Sequence, residues 1–226
     1  MQAGERMVGT NGKENFLFPL EYMYLSQGSY TATYSHNGCY AMDFIGWGAN
    51  GRVYKCPYYA PFSCHLVARW GSSSPSLVWQ SDDVVNFVDG TTDYACIQFT
   101  HDDDVMQFTI GETRTQGQLI GHTGTYGASA DHVHIEAKKG TYDGYHRNSY
   151  GVYMLTNSTW LYNLFGVNDT VLRKTYYVNH NGVRVNYPWR EFSDSPEPPP
   201  PPPPPPYAGY YRKYPWFTLT SKKLHR

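Results

Sequence analysis

Nine consecutive prolines, Pro198 to Pro206, limit how much of this 226-residue chain can fold as one body. Proline has no N–H to donate, so the run joins neither a helix nor a sheet interior. It forms a stiff polyproline II rod of about 28 Å, at roughly 3.1 Å per residue. Together with Ser193-Asp194-Ser195-Pro196-Glu197 it reads as a linker over 193–206. Beyond it lie Tyr207 to Arg226, with six aromatics, five Lys or Arg and no acid. So short a stub cannot build its own core; part of a second module, a docking segment and a solvated tail all fit its composition. The foldable unit is therefore residues 1–192, with a core over about 18–140 and an extension over 141–192.

Inside that unit the pattern is of short strands and turns. Tyrosine is abundant at 22 residues, alongside 21 Gly, a composition that favours strands and tight turns over long helices. Ser63–Trp70 and Ser76–Gln80 read as one strand pair. Tyr94–Thr100 and Val105–Ile110 read as another, split by Asp102-Asp103-Asp104, itself expected to be a solvated turn. Strands over Gln118–Gly121 and His132–Ala137 follow. A short peripheral helix is predicted over Ser158–Phe165. A last hairpin, Thr175–Val178 with Val183–Tyr187, would close on Asn181-Gly182. The fold class predicted is mainly β, an antiparallel sheet domain.

Charge and cysteine narrow the function classes. The formal net charge of -1, with only 16% charged residues, argues against a nucleic-acid partner. No run approaches the roughly 18 to 20 apolar residues that span a bilayer, so no membrane partner is expected. Met1-Gln2-Ala3-Gly4-Glu5-Arg6 lacks the pattern of a signal peptide. Cys39, Cys56, Cys64 and Cys96 form no C-x-x-C pair and are expected to be buried thiols rather than a zinc cluster.

The chemistry gathers in histidines. In His132-Val133-His134 the two imidazoles leave the same face of a strand, because side chains alternate with period two. By itself H-x-H is a weak metal signal. It gains force with His36 and Asp43 upstream. Two imidazoles and a carboxylate make a three-ligand tetrahedral zinc site with one position open for water, which is what a catalytic zinc needs.

Taken in order, His36 and Asp43, Ala60-Pro61-Phe62, His101, Gly121-His122-Thr123-Gly124 and His132-Val133-His134 resemble the M23 (lysostaphin or LytM type) metallopeptidases. These are zinc endopeptidases that cut peptidoglycan peptides. The resemblance covers about Phe18 to Lys139. Many members space the first pair as H-x-x-x-D, whereas six residues separate His36 from Asp43 here. That spacing, and the segment from Phe18-Pro19-Leu20 to His36, look like the M23 domains of phi29-like phage tail-tip (tail knob) proteins. The resemblance implies a lysostaphin-type (duplicated-hybrid-motif-like) sheet and one Zn2+ per chain. It implies His36, Asp43 and His134 as zinc ligands, with His101 and His132 as non-ligand catalytic histidines. Its substrate would be bacterial peptidoglycan peptides, its location the virion or the outside of a cell wall, and its other partners phage tail proteins.

Plainer readings stand beside these. His65 and His122 are expected to be satisfied hydrogen-bonding or cleft-wall residues, and His146, His180 and His225 to face solvent. Asp131 and Glu136 fit either acceptors behind a ligand imidazole or surface carboxylates. Tyr126, Tyr142 and Tyr145 fit either a peptide groove or sheet packing. The competing functions are a catalytically inactive M23-like structural or wall-binding module, an adhesin with an incidental metal, and a hydrolase of small peptides.

Overall fold

The computed structural model describes residues 8–17, 19, 23–28, 34–48, 51–72, 75–87, 89–159, 161, 164, 176–178, 184–186 and 190–191. The strands, in chain order, are β1 (Met23–Gln27), β2 (Met42–Gly48), β3 (Gly51–Val53), β4 (Pro57–Tyr59), β5 (Cys64–Trp70) and β6 (Ser76–Ser81). Then come β7 (Val85–Asn86), β8 (Thr92–Asp93), β9 (Ala95–Thr100), β10 (Thr113–Arg114), β11 (Leu119–His122) and β12 (Val133–Lys139). The last are β13 (Tyr145–Arg147), β14 (Tyr153–Leu155), β15 (Tyr176–Val178), β16 (Arg184–Asn186) and β17 (Arg190–Glu191). Nine of them form one sheet in the order β10-β5-β6-β9-β12-β2-β1-β17, with β3 added on β2. Every pairing is antiparallel except β1 with β17. The predicted mainly-β antiparallel class is the observed one. No helix among the described residues is long and apolar enough to cross a membrane.

Period-two alternation divides the central strands between two jobs. Met42 and Phe44 of β2, Ile97 and Phe99 of β9, and Val133, Ile135 and Ala137 of β12 enter one apolar cluster with Phe62, Leu66, Trp79 and Phe87. Burying each large apolar side chain contributes about 1.5–3 kcal/mol. The residues between them, Asp43, Thr100, His134 and Glu136, leave by the opposite face. Register aligns Thr100 with His134 and His134 with Asp43, so these three lie side by side across the sheet. Packing runs past both ends of the 18–140 stretch. Phe16 meets Phe62 and Phe87 edge-on at 5.4 and 5.2 Å, and Leu161 and Leu164 join the same core.

Several strand expectations are met: β5 with β6, β11, β12, and the late hairpin β15 with β16, whose turn Asn181-Gly182 lies outside the described residues. The strand predicted over 105–110 is absent. Val105–Gln107 is instead a 3-10 turn, because both edges of β9 are already filled by β6 and β12. Val105 is buried, and Phe108 packs edge-on against Trp79 at 5.7 Å. Half of the predicted 158–165 helix lies outside the described residues; Thr159 is extended and bridges Ala137, while Leu164 has helical backbone.

Asp102 is a second correction, since it is buried rather than solvated. One carboxylate oxygen accepts from Tyr58 Oη at 2.9 Å and the His122 N–H at 2.9 Å; the other accepts from the Asp104 N–H at 2.7 Å. Burial pushes its pKa up, against these hydrogen bonds. The carboxylate thereby fastens the loop after β9 to β11.

The Gly-His-Thr-Gly run makes this packing possible. A Cβ on Gly121 would collide with the Asp102 carboxylate and the Tyr58 hydroxyl, and one on Gly124 with the His101 carbonyl. Gly124→Ala is therefore expected to destabilise the fold by on the order of 1–3 kcal/mol, the usual cost of overpacking, read as a lower urea midpoint at unchanged slope.

Candidate active site

His36, Asp43 and His134 converge. His36 comes from the 34–38 turn, Asp43 from β2 and His134 from the paired position on β12. His36 Nε2 lies 3.1 Å from Asp43 Oδ1 and 3.2 Å from His134 Nδ1, and His134 Nδ1 lies 3.0 Å from Asp43 Oδ1. All three residues are buried. A tetrahedral ion with bonds of 2.0–2.1 Å needs its donors about 3.3 Å apart, so the triangle fits zinc with little adjustment.

Hydrogen bonds behind the ligands set which nitrogens face the centre. His36 Nδ1–H donates to the Gly28 carbonyl at 2.7 Å, which leaves the lone pair on Nε2. His134 Nε2–H donates to Glu136 Oε1 at 3.1 Å, which leaves Nδ1 for the centre. Glu136 is fully buried and is thus the carboxylate behind a ligand imidazole, the first of its two expected readings. Asp131 is also buried but has other work: its carboxylate accepts from Thr123 Oγ1 at 2.7 Å and the Lys55 N–H at 3.0 Å. Cys39, His134 and Glu136 form an overlapping potential ligand group. Burial, with Glu136 and Asp43 nearby, pushes the Cys39 thiol far up.

Charge at the centre is concentrated. Burial opposes ionisation of Asp43, yet hydrogen bonds with His134 and His36 hold its carboxyl well below the usual range. Burial likewise opposes a charged His134, but Asp43 and Glu136 outweigh it and push the imidazole up to about 10. Without a cation, one proton therefore sits within the triangle.

The two remaining histidines stand beside it. His101 and His132 have ring centroids 4.4 Å apart, and His101 is 6.1 Å from the His134 ring. His132 Nδ1–H donates to the Ala130 carbonyl at 2.7 Å, and its Nε2 lies 3.6 Å from Asp43 Oδ2. His101 Nδ1–H donates to the Tyr126 carbonyl at 2.9 Å, while the Tyr126 N–H donates back to the His101 carbonyl at 3.2 Å. That reciprocal clamp holds His101 in a left-handed conformation, φ 79°, uncommon for a residue with a Cβ. Burial lowers its pKa to about 4, helped by neighbouring His132 and His134. Gly124 in turn exchanges two backbone hydrogen bonds of 3.1 Å with His132. Residues 124–126 thus hold both imidazoles, each with its basic nitrogen at Nε2.

All five histidine and aspartate positions singled out in the sequence meet here. The others have the plainer roles: His65 Nδ1 bonds Asp82 at 2.7 Å, His122 lies 3.7 Å from Asp104, and His146 is exposed on β13. His180 and His225 lie outside the described residues. All four cysteines are buried and unpaired with one another. Of the three tyrosines, Tyr126 adjoins the site, 39% exposed. Tyr142 stacks on Trp70 of β5 at 5.8 Å and Tyr145 lies tilted against it at 5.1 Å, three strands from His134. Sequence reasoning missed the backbone of Tyr126 and also Asn148, whose amide reaches the His36 turn; neither bears a motif.

A zinc ion held by this triangle would have to displace the His134 proton, so its affinity is expected to rise with pH between 7 and about 10 and then level off. Calorimetric titration of the metal-free protein at neutral pH, in buffers of different ionisation enthalpy, should report release of about one proton per ion.

No family model matches the chain. It is 33% identical over 162 residues to Morphogenesis protein 1 of Bacillus phage B103, an alignment covering 71% of this chain and 42% of that protein. The chain thus spans less than half the length of this curated relative. Among solved structures it is similar to the antimicrobial peptidase lysostaphin from Staphylococcus simulans, with 16% identity, TM-score 0.39, and 75% and 61% of the two chains covered. A zinc-containing peptidase from Vibrio cholerae gives 14% identity, TM-score 0.36, and 58% and 42% coverage. In the order of its site residues the chain resembles the M23 metallopeptidases, and in sequence it is similar to a phage morphogenesis protein.

Proposed function

We propose that this chain is a zinc-dependent endopeptidase that hydrolyses peptide bonds in bacterial peptidoglycan as part of a phage tail. The carrying observation is the buried His36–Asp43–His134 triangle with two further imidazoles, His101 and His132, against it. The M23 resemblance supplies the substrate class, and likeness to a phage morphogenesis protein supplies the setting. Location in the virion or at the outer face of the wall follows from that setting, as does contact with other tail proteins. Residues 1–192 form the peptidase unit in this reading, 193–206 a spacer and 207–226 a separate stub.

His36, Asp43 and His134 would hold one zinc ion. When bound there, zinc supplies a Lewis acid that brings a water near neutral pKa and polarises the scissile carbonyl. His101 gives its Nδ1–H to the Tyr126 carbonyl and so keeps its lone pair on Nε2, which makes it the histidine assigned here to take the water proton. The same proton then passes to the leaving nitrogen as the C–N bond breaks, giving a carboxylic acid and an amine, and the acid's proton goes on to the amine to leave carboxylate and ammonium. His132 is placed to hydrogen-bond the developing oxyanion when its Nε2 carries a proton.

Purified sacculi from several Gram-positive species, digested and analysed by mass spectrometry, test this. The native protein is expected to bind one zinc and release peptides with new amino termini. His134→Ala should lose the metal and the cleavage together. His101→Ala should keep the metal and lose about 10²- to 10⁴-fold in rate, the range for a positioned base. Bound zinc without new termini on any wall would favour the inactive or wall-binding module; absence of zinc would overturn the metal site.

A further inference from the structure

Two ligands of the centre are held by a part of the chain beyond the Phe18–Lys139 stretch that carries the M23 resemblance. The β13–β14 hairpin turns at 148–152. There Asn148 Oδ1 accepts from the Tyr150 N–H at 2.9 Å and the Val152 N–H at 3.0 Å, so the side chain shapes the turn. Its Nδ2 points away from the hairpin and donates to the carbonyls of Tyr34 at 3.2 Å and Asn37 at 3.4 Å, on either side of His36. The Tyr150 ring lies against Tyr34, with centroids 5.3 Å apart. Met154 of β14 is buried in a small cluster with Cys39 and Ala41, which lie on the path from His36 to Asp43. At the far end of β14, the Leu155 N–H donates to Glu136 Oε2 at 3.0 Å, while Glu136 Oε1 accepts from His134. Both oxygens of that buried carboxylate are therefore committed, one to a ligand and one to the hairpin.

We propose that the β13–β14 hairpin is a working part of the metal centre, in which Asn148 positions the turn bearing His36 and Glu136, oriented by Leu155, positions the His134 ring. This rests on the reading that His36, Asp43 and His134 bind zinc. The physical reason for such a clasp is local. His36 sits on a turn rather than a strand, so no ladder of sheet hydrogen bonds fixes it. His134 has two nitrogens, and Nδ1 can ligate only while Nε2 keeps its proton on Glu136. The hairpin supplies both constraints. Asn148 and Glu136 are positioning residues; neither touches substrate.

Two substitutions separate positioning from folding. In Asn148→Ser the hydroxyl can still accept from the turn N–H groups but is too short to reach Tyr34 or Asn37. Glu136→Gln keeps size and shape, yet an amide has one acceptor oxygen for two donors, so either His134 or Leu155 loses its partner. Zinc affinity of the full chain is measured by competition with a chromogenic chelator. The absorption of the cobalt-substituted protein and the thermal midpoint of the metal-free protein are recorded beside it. Each variant is expected to bind zinc about 10- to 100-fold more weakly, the usual cost of a lost partner behind a ligand. Cobalt spectra should be altered, and metal-free midpoints should match the native protein.

Native affinity and spectra in Asn148→Ser would overturn the hairpin's role even if Glu136→Gln weakens binding. A loss of affinity in Asn148→Ser matched by a fall in the metal-free midpoint would assign Asn148 to folding and also overturn it. Should Glu136→Gln fail to fold, Asn148→Ser alone decides. If the native chain binds no zinc, the metal reading falls first and the clasp with it; if the native chain binds and the variants bind equally well, only the clasp falls.

Discussion

The register of β12 between β9 and β2 is the constraint on which the rest depends. One strand supplies both the apolar core and a metal ligand, because its alternate residues face opposite sides. Val133, Ile135 and Ala137 are buried in the main cluster, while His134 and Glu136 face the centre. A slip of one residue would carry every one of these side chains to the wrong face. The apolar contacts that fix the register therefore also fix the separation of His134 from Asp43. Stability and site geometry are here one quantity.

Around that strand the site is held by backbone more than by side chains. The run 121–126 has no catalytic side chain in the proposed mechanism, yet it ties the loop of His101 to the loop of His132. Gly124 pairs with His132, Tyr126 clamps His101, and Thr123 bonds both Asp131 and the backbone of Cys56. Glycine is needed at 121 and 124 because carboxylate, phenol and carbonyl atoms occupy the space a Cβ would take. The Gly-His-Thr-Gly run thus serves as a bracket. It places two imidazoles, each with Nδ1 bound to a backbone carbonyl, beside a dense cluster of charge.

Much of this was legible in the residues. Strands β5, β6, β9, β11 and β12 follow from apolar alternation broken by turn residues. The five site residues follow from their chemical type and order. Where the reading failed, longer-range packing had the deciding vote. Residues 105–110 alternate like a strand, but β9 has no edge left to pair with them. Three successive aspartates look like a solvated turn, but Asp102 is buried under Tyr58 and β11. Neither fact is local, so no window of sequence contains it.

By itself the sequence determined that the strands between Cys64 and Lys139 belong to antiparallel sheets, and that two imidazoles leave one face of a strand. Period-two alternation acts through nearest neighbours, and so can be read in order along the chain. The tertiary structure alone decided which nitrogen of each histidine faces the centre. Those choices are set by the carbonyls of Gly28, Tyr126 and Ala130 and by the carboxylate of Glu136. It also decided that Asn148 reaches the His36 turn across more than a hundred residues. Hydrogen bonds between segments so distant exist only once the sheet has closed on its core, because nothing in the local chain can hold their donors and acceptors in line.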